Sequence, residues 1–245
     1  MTLISTPINL ENLPKPADSE RAKAGLIRLR ETLSQDQEHA AFLADLESDP
    51  TGQALINSIF GNSPYLGRCL IQEPGCLLSF LANGPDAAFS NLMADMEAAL
   101  AKETSQNRVM TELRRAKRRT ALITGLADIS NLWPLEKVTE ALTQLAERSL
   151  HVAARYVLGA AAAQGSIELA DNSDPERNSG YIILGMGKLG ARELNYSSDI
   201  DLIVLYDADL VRGTTSEAMG PLFVKMTRQL VHFLDARTAG GYVFR

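Results

Sequence analysis

The residues best suited to chemistry lie between Gly185 and Leu202. The run Gly185-Met186-Gly187-Lys188-Leu189-Gly190 is followed, after eight residues, by Asp199-Ile200-Asp201-Leu202. In an extended strand, residues i and i+2 project to the same face, so Asp199 and Asp201 are expected side by side at the start of a strand. Two carboxylates that close repel each other unless cations sit between them. Hard oxygen ligands at this spacing suit Mg2+, which keeps some waters and takes further ligands from phosphates. Ions held in this way can stabilise both the attacking and the leaving oxygen of an in-line displacement at phosphorus. Upstream, the glycines let the backbone approach phosphate oxygens, and successive N–H groups can form an anion-binding concavity. Lys188 adds a mobile positive charge.

The same residues admit other readings. A Gly-x-Gly-x-x-Gly turn after a strand can bind a dinucleotide. Only nine residues separate Gly190 from Ile200, however, too few for a crossover to a parallel strand. A Walker-type phosphate loop requires Ser or Thr after its lysine, and Leu189 follows Lys188. The aspartates alone could be a solvated strand start. Their combination with the glycine-lysine turn favours the metal and phosphate reading.

The elements that must position these groups can also be read. Tyr181 to Leu184 is a short apolar strand, and Ile200 to Tyr206 is a second, apolar on both faces and so expected to be buried on both. Ser216 to Arg237 reads as an amphipathic helix through Leu222, Phe223, Met226, Leu230, Phe233 and Leu234. Gly241 to Arg245 is expected to begin a third strand, and a chain that stops flush on an apolar strand is expected to be a fragment. The polar, turn-rich stretch from Asp171 to Gly180 is the expected domain boundary.

Before it, the pattern is helical to about residue 165. Pro7, Pro14 and Pro16 mark an extended arm over residues 1–17, and Leu26, Ile27, Leu29 and Leu33 open the helical spacing. Ser63-Pro64 offers an N-cap with proline at the first helical position, Asp49-Pro50 and Asn62-Ser63 mark breaks, and two long helices are expected at about 104–126 and 134–164. The basic run Arg114, Arg115, Lys117, Arg118 and Arg119 reads first as a solvated helix face, with docking of an acidic partner as the alternative. His39, His151 and His232 lack ligand spacing, Trp133 reads as a packing anchor, and Arg192 and Glu193 as a structural ion pair or a substrate contact. The fold class expected is α+β, with a helical region over residues 1–170 and an α/β domain opening over 180–245.

Composition sets outer bounds. The 245 residues carry a net charge of −6, and a chain with a pI near 5.2 is a poor candidate for a nucleic-acid partner. Cys69 and Cys76, the two cysteines, are too few for a disulfide framework and read as core residues in a reducing compartment. No window approaches a transmembrane helix and no signal peptide is visible, so the expected address is the cytoplasm, away from membranes.

The run from Gly185 to Ile203 closely resembles the bifunctional glutamine synthetase adenylyltransferase/adenylyl-removing family. Further similarity lies in Asn62-Ser63-Pro64-Tyr65-Leu66, Leu113-Arg114-Arg115 and Gly240-Gly241-Tyr242-Val243-Phe244-Arg245. Such proteins carry two tandem nucleotidyltransferase domains of polymerase-β-like fold. The first removes AMP from a tyrosine of glutamine synthetase by phosphorolysis, and the second attaches AMP from ATP. The helical leader and the Gly-Met-Gly-Lys wording resemble the first. That resemblance implies Asp199 and Asp201 as catalytic metal ligands for Mg2+. It also implies Gly185, Gly187 and Lys188, with adjacent Ser198, as phosphate or nucleotide contacts. Implied partners are glutamine synthetase, a PII-type nitrogen regulator, and ATP, ADP and phosphate. A third carboxylate would follow the Tyr-Val-Phe-Arg run, beyond residue 245. A related uridylyltransferase and a non-catalytic regulatory module are the alternative readings.

Overall fold

Helix starts follow the capping residues. In the computed structural model, which describes residues 5–34 and 37–245, Asp18 caps α1 (Ser19–Leu33) by accepting a hydrogen bond from the Arg21 amide at 2.8 Å. After α2 (Gln37–Ser48), Asp49 and Ser63 do the same for α3 (Pro50–Asn62) and α4 (Pro64–Gln72). Pro50 and Pro64 take the first helical position, where a missing N–H costs nothing. The next helix, α5 (Pro74–Leu100), is broken at Gly84, whose φ of 78° and ψ of 167° precede Pro85. Two long helices follow, α6 (Gln106–Ile129) and α7 (Leu135–Ala163), close to their sequence-based limits.

The chain forms two compact units. Met1–Ala94 with Arg118–Ala141 is wholly helical where it is described, and its core includes Leu55, Ile59, Leu70, Phe80 and Leu81. Along α1 the buried stripe is Ala22, Gly25, Leu29 and Leu33, so Ile27 points outward. Trp133 anchors as expected, edge-on to Phe89 with ring centroids 6.0 Å apart. The proline-marked arm is tethered rather than free. Thr6 is buried and its hydroxyl donates to the Phe80 carbonyl at 2.8 Å, and a 3-10 turn forms at Leu10–Asn12. The arm's first four residues lie outside the described ones.

Asp95–Lys117 with Leu142–Arg245 forms the second unit. Here β1 (Tyr181–Gly185), the single-turn α8 (Gly187–Gly190), β2 (Leu202–Tyr206) and α9 (Ser216–Asp235) follow the 171–180 loop. The strands pair antiparallel, with Tyr181 opposite Tyr206 and Gly185 opposite Leu202. One face packs on α9: the Phe223 ring lies 4.8 Å from Tyr206 and 5.7 Å from Tyr181 between centroids. The opposite face carries Ile182, Leu184, Ile203 and Leu205, each between 40% and 49% exposed. Burial of β2 on both faces is therefore corrected. With only two strands and α9 on one side, no second layer covers that face among the described residues.

Two further expectations change. No strand forms over 241–245 among the described residues. Gly241 makes an isolated bridge to Thr238, and Arg245 accepts one hydrogen bond from the Ile200 amide at 3.0 Å. The basic run is only in part a solvated face: Arg115 is exposed and Lys117, Arg118 and Arg119 are half-buried, but Arg114 is enclosed. Arg114 is 1% exposed, because its guanidinium donates to the carbonyls of Met110, Phe233, Ala236 and Gly241. Burial lowers its pKa and Asp235 opposes that shift. Arg118 pairs with Glu73 at 2.8 Å.

Candidate functional site

The glycine turn is built by close backbone approach. Gly187 has φ +53°, in the left-handed region that favours glycine, and it opens α8 directly after β1. A Cβ on Gly190 would lie 2.5 Å from the Gly185 carbonyl oxygen, so only glycine allows the chain to fold back there. The turn is locked by backbone bonds from Gly190 to Met186 at 3.1 Å and from Glu193 to Lys188 at 2.8 Å.

Asp201 reaches this turn through the sheet. The Met186 amide donates to the Asp201 carbonyl at 2.8 Å, which carries the β1–β2 register one residue further. The Asp201 carboxylate then lies beside the turn, with Oδ2 3.3 Å from where a Cβ on Gly187 would be. Both aspartates precede the strand, which starts at Leu202, so they sit on the loop that enters it rather than within β2. The two are separated by Ile200, whose amide is held by Arg245 at 3.0 Å.

Asp199, Asp201, Gly187 and Lys188 are all exposed, whereas Gly185 and Ser198 are half-buried. None of Asp199, Asp201 and Lys188 forms a salt bridge among the described residues. Ser198 is turned toward its own loop, where its hydroxyl bonds the Asn195 side chain. The structure thus places Asp201 beside Gly187, and shows no hydrogen bond or ion pair from Lys188 or Ser198 to either aspartate among the described residues. No cluster of three or more His, Cys, Asp or Glu side chains forms among those residues. The carboxylate shown beside this turn is that of Asp201, with Asp199 two residues before it on the same loop.

Helix α7 holds the turn from behind. Arg192, at φ +59°, pairs with Glu147 of α7. The Leu194 amide donates to the Thr143 hydroxyl at 3.3 Å. Sequence spacing could not reveal either link, because each partner lies some 45 to 51 residues away. A cleft of about 600 Å³ runs between α7 and β1, lined in part by Leu150, Ala154, Ile183, Gly185, Leu189 and Gly190. It touches the back of the turn but includes neither aspartate. Also lining it, His151 donates from Nδ1 to the Glu176 carboxylate of the 171–180 loop at 2.9 Å, and that partner raises the imidazole pKa above its ordinary value.

Fold and site define an α+β protein in which a glycine turn, closing a two-stranded antiparallel sheet, meets a paired-aspartate loop. Residues 53–245 match the family described as glutamate-ammonia ligase adenylyltransferase. The chain is 39% identical over 230 residues to a bifunctional glutamine synthetase adenylyltransferase/adenylyl-removing enzyme of Rhodopseudomonas palustris, covering 89% of this chain and 23% of that protein. Proteins of the same name from Xanthobacter autotrophicus (39% over 241 residues; 98% of this chain, 24% of theirs) and Brucella suis (38% over 237 residues; 94% and 23%) are similar too. The chain belongs to the glutamate-ammonia ligase adenylyltransferase family, and it spans about a quarter of the length of these relatives.

Proposed function

We propose that this chain carries the AMP-removing half of such an enzyme, with 180–245 as the opening of a polymerase-β-like nucleotidyltransferase domain and 1–170 as its helical leader. The observation that carries the reading is the contact of the Asp201 carboxylate with the left-handed Gly187 turn. It supports the reading because a carboxylate able to ligate a metal then stands beside backbone N–H groups of a kind that suits phosphate oxygens.

In this reading orthophosphate attacks the phosphorus of a tyrosyl-AMP ester on glutamine synthetase. The bond from phosphorus to the tyrosine oxygen breaks, that oxygen takes a proton, and the products are ADP and free tyrosine side chain. Gly185 and Gly187 hold phosphate oxygens close to the backbone, Lys188 supplies a charge from the exposed side of α8, and Ser198 orders the loop that carries Asp199. Asp199 and Asp201 would hold Mg2+, which supplies positive charge against the phosphoryl oxygens. Their fit rests on oxygen-only chemistry, exposure and freedom from salt bridges. Positioning and electrostatics account for most of the rate. AMP attachment from ATP belongs to a second domain, the address is cytoplasmic, and a PII-type protein regulates the balance.

The test uses a longer enzyme that contains this segment. Asp199→Asn or Asp201→Asn is expected to abolish AMP removal from adenylylated glutamine synthetase while attachment to the unmodified enzyme persists. Lost attachment with retained removal would reverse the assignment of half-reactions.

A further inference from the structure

The basic run on α6 has an unexpected destination. Arg114 is buried at the point where α9 ends and the chain turns back. Its Nε donates to the Gly241 carbonyl at 2.9 Å, and one terminal nitrogen donates to Phe233 at 3.1 Å and to Met110 of its own helix at 2.8 Å. The other terminal nitrogen reaches the Ala236 carbonyl. Phe233 and Ala236 belong to the last turn and cap of α9, where carbonyls lack helical partners and a cation is favoured.

Lys117 lies one helical turn further along α6, on the same side as Arg114. Its ammonium sits 4.2 Å from the centroid of the Tyr242 ring and 5.7 Å from that of Phe244. Arg245 stacks over Tyr242 as well, at 4.7 Å. The amides of Val243 and Phe244 both donate to Leu234 of α9, at 2.8 and 3.1 Å. Residues 241–245 are therefore gripped by two cationic side chains of α6, one turn apart, and by the end of α9. The same segment delivers the Arg245 carbonyl to the Ile200 amide at 3.0 Å. Ile200 is the residue between the two aspartates.

We infer that Arg114 and Lys117 are positioning residues for Asp199 and Asp201, acting through the Gly241–Arg245 segment and its hydrogen bond to Ile200. This rests on the reading of the aspartates as metal ligands. A positively charged helix face more than eighty residues upstream thereby sets the geometry of the acidic loop. Lysine cannot replace Arg114 well, because one ammonium on a flexible stem cannot serve four carbonyls in a fixed fork.

The experiment uses the whole 245-residue chain with Mn2+ as the probe ion, and reads Ile200 amide hydrogen exchange alongside Mn2+ binding by electron paramagnetic resonance. Arg114→Lys is expected to speed Ile200 exchange about tenfold or more, since charged hydrogen bonds that close the local structure are lost. Mn2+ affinity should fall by about tenfold, as for other groups that orient metal ligands from behind. Lys117→Gln should move both readouts in the same direction by about threefold, in keeping with the weaker cation–π contact. A folded Arg114→Lys variant with unchanged exchange and unchanged affinity overturns the inference. Should that variant fail to fold, Lys117→Gln decides on the same two readouts. Asp199→Asn and Asp201→Asn serve as controls that should lose Mn2+ while keeping Ile200 protected. If these leave Mn2+ binding intact, the metal reading fails, and the exchange result still judges the clamp on its own.

Discussion

Replacing Gly187 with alanine separates two costs that the turn imposes. The first is conformational: at φ +53° a Cβ meets the backbone, and a left-handed residue other than glycine costs roughly 1–2 kcal/mol. For a chain of this size that corresponds to a loss of roughly 2–8 °C in Tm, followed by circular dichroism. The second is crowding, since the new Cβ would lie 3.3 Å from Oδ2 of Asp201, so the carboxylate must give by a few tenths of an ångström. If misplacement on the order of 1 Å costs about a hundredfold, this shift should weaken Mn2+ binding by about three- to tenfold. Gly187→Asn distinguishes the two. Asparagine tolerates the left-handed region, so its Tm loss should be about half that of alanine or less. Its Cβ stands in the same place, so its loss of Mn2+ affinity should equal that of alanine. Wild-type affinity in both variants would refute the placement of a ligating Asp201 at this turn. Recovery in the Asn variant alone would show that backbone strain, not crowding, disturbs the site.

Other expectations concern regions away from the aspartates. His151 has its pKa raised, first by the hydrogen bond to Glu176, so its contribution to stability is full below the ordinary imidazole value near about 6.5 and is lost as pH rises through the raised value. An NMR titration of His151 should move downward in Glu176→Gln, and an unmoved titration would remove Glu176 as the cause. Burial pushes the Cys76 thiol up to about 12 and raises that of Cys69, so neither should react with a disulfide reagent at pH 8 until the chain is unfolded by denaturant. Rapid labelling of the native chain would contradict their burial. Ser63→Ala removes the hydroxyl that accepts from the Leu66 amide at 3.2 Å, and should cost about 1 kcal/mol in denaturant unfolding.

What could be read from the chain alone was what depends on near neighbours. The break at Asp49-Pro50, the cap at Ser63, the long periodic stretches of α6 and α7, and the glycines before an aspartate pair each act over short stretches of chain, so their spacing in the sequence is close to their spacing in space. Burial is different, because it depends on what other parts of the chain bring. The continuous apolar run of β2 could not show that α9 would cover one face of the sheet while Ile203 and Leu205 stay outward. Nor could a run of arginines on a helix show which one would be enclosed. Isolated, each is cheapest in water, and the sequence supplies no local reason to bury any. Arg114 goes inside because α9 ends beside it with unpaired carbonyls, and Phe233, Ala236 and Gly241 lie 119 to 127 residues further along the chain. Only the tertiary fold brings those acceptors within reach, and with them the segment that holds Ile200 between the two aspartates.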